Sequence, residues 1–293
     1  MTASVGINLL AVFLLDFAIQ FVCFVFAAIF KTEKFYDLSG SVTYIGCILI
    51  SLLYRHGDDI LSNLTPRQII IAALVCIWAV RLGTFLFIRV MKEGKDARFD
   101  GVKENPLQFS VYWALQVVWI YLTALPCWIV LGNDSYNEPN LVWSDYVGIV
   151  LWVYGFLVEV IADTSKFVFK LTNRKDFIST GIWKYCRYAN YHGEIVLWLG
   201  MWILCIHGFT DNWQFVSIIS PLFVAGLILG VSGVPLAEAS AEKRYGGRAD
   251  YQAYKAATPK YFLWFPKKLQ VTNESQSVPE EPVEERRDPE QAA

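Results

Sequence analysis

Seven stretches of this chain are apolar over lengths that soluble folds rarely carry: residues 5–30, 38–54, 66–90, 107–131, 142–162, 192–209 and 215–236. A helix crosses the hydrocarbon core of a bilayer in about 20 residues and pairs its own backbone polar groups on the way. The pattern therefore predicts an all-α, polytopic integral membrane protein with about seven transmembrane helices. The first run starts close to Met1, without a basic leader or a small-residue cleavage site, and is read as an uncleaved first helix. Charged residues make up 18% of the chain, against roughly a quarter in soluble domains.

The Lys and Arg positions test this count. One set of connections holds Lys31 and Lys34, then Lys92, Lys95, Arg98 and Lys103, then Lys166, Lys170, Arg174, Lys175, Lys184 and Arg187, and the basic residues from Lys243 onward. The opposite set holds Arg55 and Arg67. Positive charge marks the cytosolic side of short loops, so the N-terminus is expected outside and the C-terminus in the cytosol. Residues 267–293 are acidic and polar and contain proline; they read as a disordered cytosolic tail.

A net charge of -2 gives no basic field of the kind nucleic acid requires. The six cysteines are scattered and mostly within apolar runs, and His56, His192 and His207 share no ligand spacing, so no metal site is expected. Neither a Rossmann glycine fingerprint nor a Walker A motif is present.

Polar groups inside spans are costly and mark function more often than structure. Asp16 and Gln20 lie one turn apart in the first span, and Arg81 lies in the third. Glu159, Asp163, Lys166 and Lys170 follow one helix face into the cytosolic side, as a binding stripe or as a solvated ladder of ion pairs. Asn190 and Glu194 repeat the i, i+4 spacing at the start of the sixth run. Asn190 there is a cofactor contact or a helix cap, and a helix N-terminus beside Lys184 and Arg187 suits phosphate. Finally, Arg244, Arg248, Lys255 and Lys260 mix with Tyr245, Tyr251 and Tyr254. Such a mixture holds phosphates and stacks a flat ring, or anchors a helix at the lipid surface. Together these segments predict an anionic ligand taken from the cytosol.

The segment RYANYHGE, residues 187–194, resembles the signature of the steroid 5α-reductase family and its sterol-reductase relatives. It is closer still to a large branch of that superfamily reading W-x-Y-S-R-H-P-N-Y-x-G-E. TEKFYDLSGSVTYI (32–45), RLGTFLFIRVMKEGKDARFD (81–100), EVIADTSKFVFK (159–170) and YQAYKAATPKYFLWFP (251–266) resemble other blocks of that branch in the same order. The resemblance implies a membrane domain over 1–266 that reduces an activated C=C bond of a lipid or steroid-like molecule with NADPH, the cofactor half covering about 142–266. It implies that Asn190 and Glu194 meet the nicotinamide end, and that Asp163, Lys166 and Arg187 lie near the adenosine and phosphates. Arg244, Tyr245, Tyr251 and Tyr254 would close over the cofactor.

Two departures are visible. Tyr188 and Ala189 stand where the branch has His-Pro. The proton donor of the steroid reductases, a Glu in the second span with a Tyr in the third, has no counterpart in 38–54 or 66–90. Tyr44 and Tyr121 are the hydroxyls that remain as catalytic candidates. Two other readings stand beside the reductase. Membrane isoprenylcysteine methyltransferases have a related motif, with Glu238 and Glu242 as a candidate acidic block for S-adenosylmethionine. A lipid-binding protein without turnover fits the missing donor. The family implies the endoplasmic reticulum membrane in a eukaryote and the plasma membrane otherwise.

Overall fold

A computed structural model of the chain describes residues 3–56, 64–133 and 140–267. The expected acidic tail lies outside the described residues from 268 onward, as does the side chain of Arg55. Among the described residues every regular element is helical: α1 Ala3–Phe30, α2 Tyr36–His56, α3 Pro66–Glu93, α4 Pro106–Thr123, α5 Leu125–Leu131, α6 Trp143–Thr172, α7 Ala189–Cys205, α8 Ile219–Gly226, α9 Val234–Tyr245 and α10 Ala249–Ala257.

Local sequence fixes several ends. Thr65 accepts from Gln68 N while Gln68 Oε1 accepts from Thr65 N, a reciprocal cap with Pro66 as the first helical residue of α3. Gly94 ends α3 in the left-handed region, at φ 82°. Asn105 caps α4 through Leu107 N and Gln108 N, ahead of Pro106. The apolar run over 107–131 is not one straight helix. It bends by 57° between α4 and α5, at Ala124 just ahead of Pro126, whose ring and missing N–H interrupt the ladder.

Five helical stretches are long and apolar enough to span a bilayer, and the bent α4–α5 pair makes a sixth. The sixth expected span, 192–209, is α7, 17 residues long, which runs on into a 3₁₀ turn at Ile206–Gly208. Large apolar side chains such as Leu10, Leu14, Phe17 and Phe21 stand exposed along α1. On a soluble protein that surface is a liability; in a bilayer it is the lipid face.

The two ends of the bundle differ as the basic residues foretell. At one end Lys103 pairs with Glu33, Arg98 with Asp37, and Arg248 with Asp176, while Lys92 lies 4.9 Å from the Phe167 ring. These contacts bring the connections at 31–37, 92–105 and 172–188 and the C-terminal helices together. Burial works against the charge on Glu33 and Asp96, but hydrogen bonds to Lys103 and to Arg98 outweigh it and hold both carboxyls below their ordinary values. At the other end Gln68 Nε2 donates to Val130 O, and Asn133 Nδ2 to Gly208 O.

The most extensive helix contact joins α6 and α7. Gly148 and Gly155 face Gly200 and Gly193 across it, the small-residue seam that lets membrane helices touch backbone to backbone. A Cβ on Gly155 would stand 2.5 Å from Gly193 O and 2.6 Å from Leu197 N, so only glycine fits. Helix α6 also runs to Thr172, ten residues past the expected end of its span, so Glu159, Asp163, Lys166 and Lys170 share one continuous helix. After α8 the chain winds as a π-helical turn at Leu227–Val231 before α9 starts behind Gly233.

Candidate functional site

The ends of α6, α9 and α10 on the lysine-rich side, with the connection 173–188, enclose a cleft of about 200 Å³. Lys166, Lys170, Arg187, Arg244, Tyr245, Tyr251 and Tyr254 line it, with Phe177, Trp183 and Tyr188. Six of the nine expected cofactor residues are thus in one place. Helix α6 delivers the lysines one turn apart, α9 delivers Arg244 and Tyr245, and α10 delivers Tyr251 and Tyr254.

Backbone bonds tie the C-terminal segment to this frame. Arg187 N donates to Pro259 O at 2.9 Å and Trp264 N to Tyr185 O at 3.1 Å. Tyr254 Oη donates to Trp183 O at 2.7 Å, and Tyr245 Oη to Asp176 O at 3.1 Å. Burial raises the pKa of the Tyr188, Tyr251 and Tyr254 hydroxyls, which keeps them neutral at physiological pH.

The charges of the cleft are unbalanced. Lys166 lies 4.9 Å from the Trp183 ring, and Arg244 bonds Ser240. Lys170 donates to Tyr245 Oη at 2.8 Å and to Asp176 O. Among the described residues none of these three cations has a carboxylate in ion-pair range. Arg187, by contrast, pairs with Glu238 at 2.7 Å, and Lys260 takes the other Glu238 oxygen at 2.6 Å. Unmatched cations around tyrosine and indole rings suit a phosphorylated ligand that carries a flat ring.

The remaining expected residues lie deeper. Asp163 pairs with Arg81 of α3 at 2.7 Å, and Arg81 also holds Glu159. The stripe on α6 is therefore no ladder of ion pairs within one helix, because its carboxylates are claimed by another helix. Glu194 accepts from the indoles of Trp78 at 3.1 Å and Trp198 at 3.0 Å. Asn190 does not cap α7. The cap position is Tyr188, and Asn190 is the second helical residue and half-buried. Tyr188 stacks on Tyr191 at 5.8 Å, and Tyr191 lies within electrostatic reach of Asp163 and Arg89, which connects the two levels.

Both tyrosines expected to donate a proton lie outside the cleft lining. Tyr44 has no exposed surface and is packed among Trp78, Trp119, Trp128 and Trp198. Tyr121 donates to Leu9 O at 3.4 Å.

Sequence reasoning missed two participants. Arg89, in the last turns of α3, lies within electrostatic reach of Lys166, Tyr191 and Asp96; a cation at a span end reads as mere snorkelling. Trp78 read as one more apolar residue, although an indole N–H buried in a span needs an acceptor.

Fold and exposed apolar faces together define an α-helical integral membrane protein with a basic, tyrosine-lined cleft at one end. Residues 23–258 match the model of the family described as "Protein of unknown function (DUF1295)", and the chain belongs to that family. Neither a curated protein nor a solved structure matches it.

Proposed function

We propose that this chain is an NADPH-dependent membrane reductase that acts on a polarised C=C bond of a lipid or steroid-like molecule. The observation that carries the reading is the cleft, where Lys166, Lys170 and Arg244 stand without carboxylate partners beside Tyr245, Tyr251 and Tyr254. Unpaired cations are held near one another at an electrostatic cost that a bound polyphosphate repays. Bound there, NADPH supplies a hydride to the electron-poor carbon of the double bond. The chain's own residues place it: Lys166, Lys170 and Arg244 toward phosphates, the tyrosines and Trp183 against rings, Asn190 and Glu194 toward the nicotinamide end. The resemblance of RYANYHGE to the steroid 5α-reductase signature supports the same assignment, because its Arg187 and Tyr188 line the cleft and its Asn190 and Glu194 follow in the first two turns of α7. In this reading the cleft faces the cytosol, at the endoplasmic reticulum membrane of a eukaryote or the plasma membrane otherwise.

The same charges argue against S-adenosylmethionine, which is cationic at sulfur. Glu238 and Glu242, the acidic block a methyltransferase would use, are ion-paired with Arg187, Lys260 and Lys255. Titration of the detergent-purified protein, read by energy transfer from its tryptophans to NADPH, tests the reading, with NADH and S-adenosylmethionine as comparisons. Saturable NADPH binding that Arg244→Ala and Asn190→Ala weaken is the expected result. Binding of S-adenosylmethionine without NADPH would replace the reductase by a methyltransferase, and binding of neither by a folded protein would favour a lipid-binding role.

A further inference from the structure

Between the cleft and the aromatic core, three carboxylates surround one guanidinium inside the bundle. Arg81 donates to Glu159 Oε1 and, at 2.7 Å, to Asp163 Oδ2. Each oxygen of Glu194 accepts from an indole, Trp198 on one and Trp78 on the other. The second oxygen of Glu159, Oε2, is buried and receives no donor. The Glu194 carboxyl lies within electrostatic reach of it, next to the helix contact where a Cβ on Gly193 would stand 3.1 Å from Glu159 Cβ.

Two ionised carboxylates are acceptors only and cannot bond each other. They stay in contact in a water-poor site when one proton lies between them, which turns repulsion into a strong hydrogen bond. The helices pack backbone to backbone at this point, where a Cβ on Gly193 would stand 2.8 Å from Glu159 N, and moving the carboxyls apart would cost that packing. Charge balance points the same way. Arg81 is the one cation bonded to this group among the described residues, and a proton on the Glu159–Glu194 pair removes one of the excess negative charges.

We propose that Glu159 and Glu194 hold one proton between them and that this proton completes the reduction of the substrate. The donor role rests on the reductase reading; the shared proton does not. Hydride addition brings two electrons to one carbon of the C=C bond and pushes the bond's own pair toward the activating group. The proton of the pair joins that electron pair, the double bond is reduced and the cofactor oxidised. The doubly ionised pair then recovers a proton from water by way of the cytosolic cleft. Glu194 keeps partial exposure, on the helix that continues from the cleft wall at Tyr188, whereas Tyr44 is sealed among indoles.

Infrared difference spectra of the purified full chain test the shared proton without any substrate. The same protonated-carboxyl band should vanish in Glu159→Gln, in Glu194→Gln and in the double variant. Trp78→Phe, which deletes one donor to Glu194 and spares both carboxyls, should shift that band and keep it. With NADPH and the lipophilic enone β-ionone, Glu159→Gln should bind the cofactor yet reduce the enone at least about a hundredfold more slowly, the scale of a lost general acid. A band that survives either single substitution overturns the shared proton. Wild-type turnover by Glu159→Gln, or loss of turnover in Tyr44→Phe alone, overturns the donor role. If the wild type binds no NADPH, or oxidises none with β-ionone and related enones, the reductase reading fails and takes the donor role with it. The infrared band then decides the shared proton by itself.

Discussion

The two ends of α6 handle charge in opposite ways. At its start Asp145 grips Arg67 with both oxygens, at 2.5 Å and 2.6 Å, and neither side chain is more than 1% exposed. Asp145 Oδ2 also accepts from Val142 N, and Ser144 Oγ bonds His207 Nδ1 at 2.7 Å. The buried ion pair there is fully matched. At its finish Lys166 and Lys170 face Arg244 across a cleft that, among the described residues, offers no carboxylate to any of them. A matched pair joins the starts of α3 and α6, whereas the other end of α6 holds cations without carboxylate partners among the described residues. One helix thus carries a fastening at one end and the proposed cofactor site at the other.

This contrast is easiest to break at the fastening. Asp145→Asn leaves a buried guanidinium without its counter-charge and should destabilise the protein by about 3–5 kcal/mol, measured by thermal unfolding in detergent. NADPH affinity, extrapolated to the folded fraction, should not change. A larger effect on cofactor affinity than on stability would erase the distinction. At the cleft the pattern reverses. Arg244→Ala should leave the unfolding temperature within error and weaken NADPH about tenfold, or ~1.4 kcal/mol, with a flatter salt dependence.

Smaller effects sharpen the comparison at the rim. Glu33 and Asp96 have lowered pKa values, so the stability they add is present at neutral pH and lost as pH falls below their ordinary values of 4.5 and 3.8. Limited proteolysis of the 93–105 loop over that acid range should report its release, and Lys103→Ala should move the release to higher pH. The smallest effect is expected at Lys255, whose pair with Glu242 is solvent-screened. Lys255→Ala should change neither unfolding nor cofactor binding in the same two assays.

The helical runs and the side on which the positive loops gather were legible because both follow from local composition. The cleft was legible too, since Lys166, Lys170, Arg187 and the tyrosines each sit in a locally basic and aromatic stretch. What escaped depends on distant partners. Arg81 stood out as a charge in a span, but its acceptors Glu159 and Asp163 lie 78 and 82 residues away. Asn190 carried the composition of a helix cap, yet the backbone enters α7 two residues earlier. Pro126 was in plain view within 107–131, and the bend it causes was not read because the hydropathy there is unbroken.

The glycine seam between α6 and α7 has a mechanical consequence. With the backbones in contact, the two helices form a beam that loses its packing if it spreads and clashes if it slides. The cleft lysines, the Glu159–Glu194 pair and the Arg67 fastening are all mounted on that beam, at fixed separations along its length. The C-terminal arm, α9 and α10, joins the bundle through the π-helical turn at Leu227–Val231 and Gly233 and is held to the 173–188 connection by Arg248 on Asp176 and Tyr254 on Trp183 O. One wall of the cleft is thus set by backbone packing and the other by side-chain bonds, so the two walls can be loosened separately by substitution.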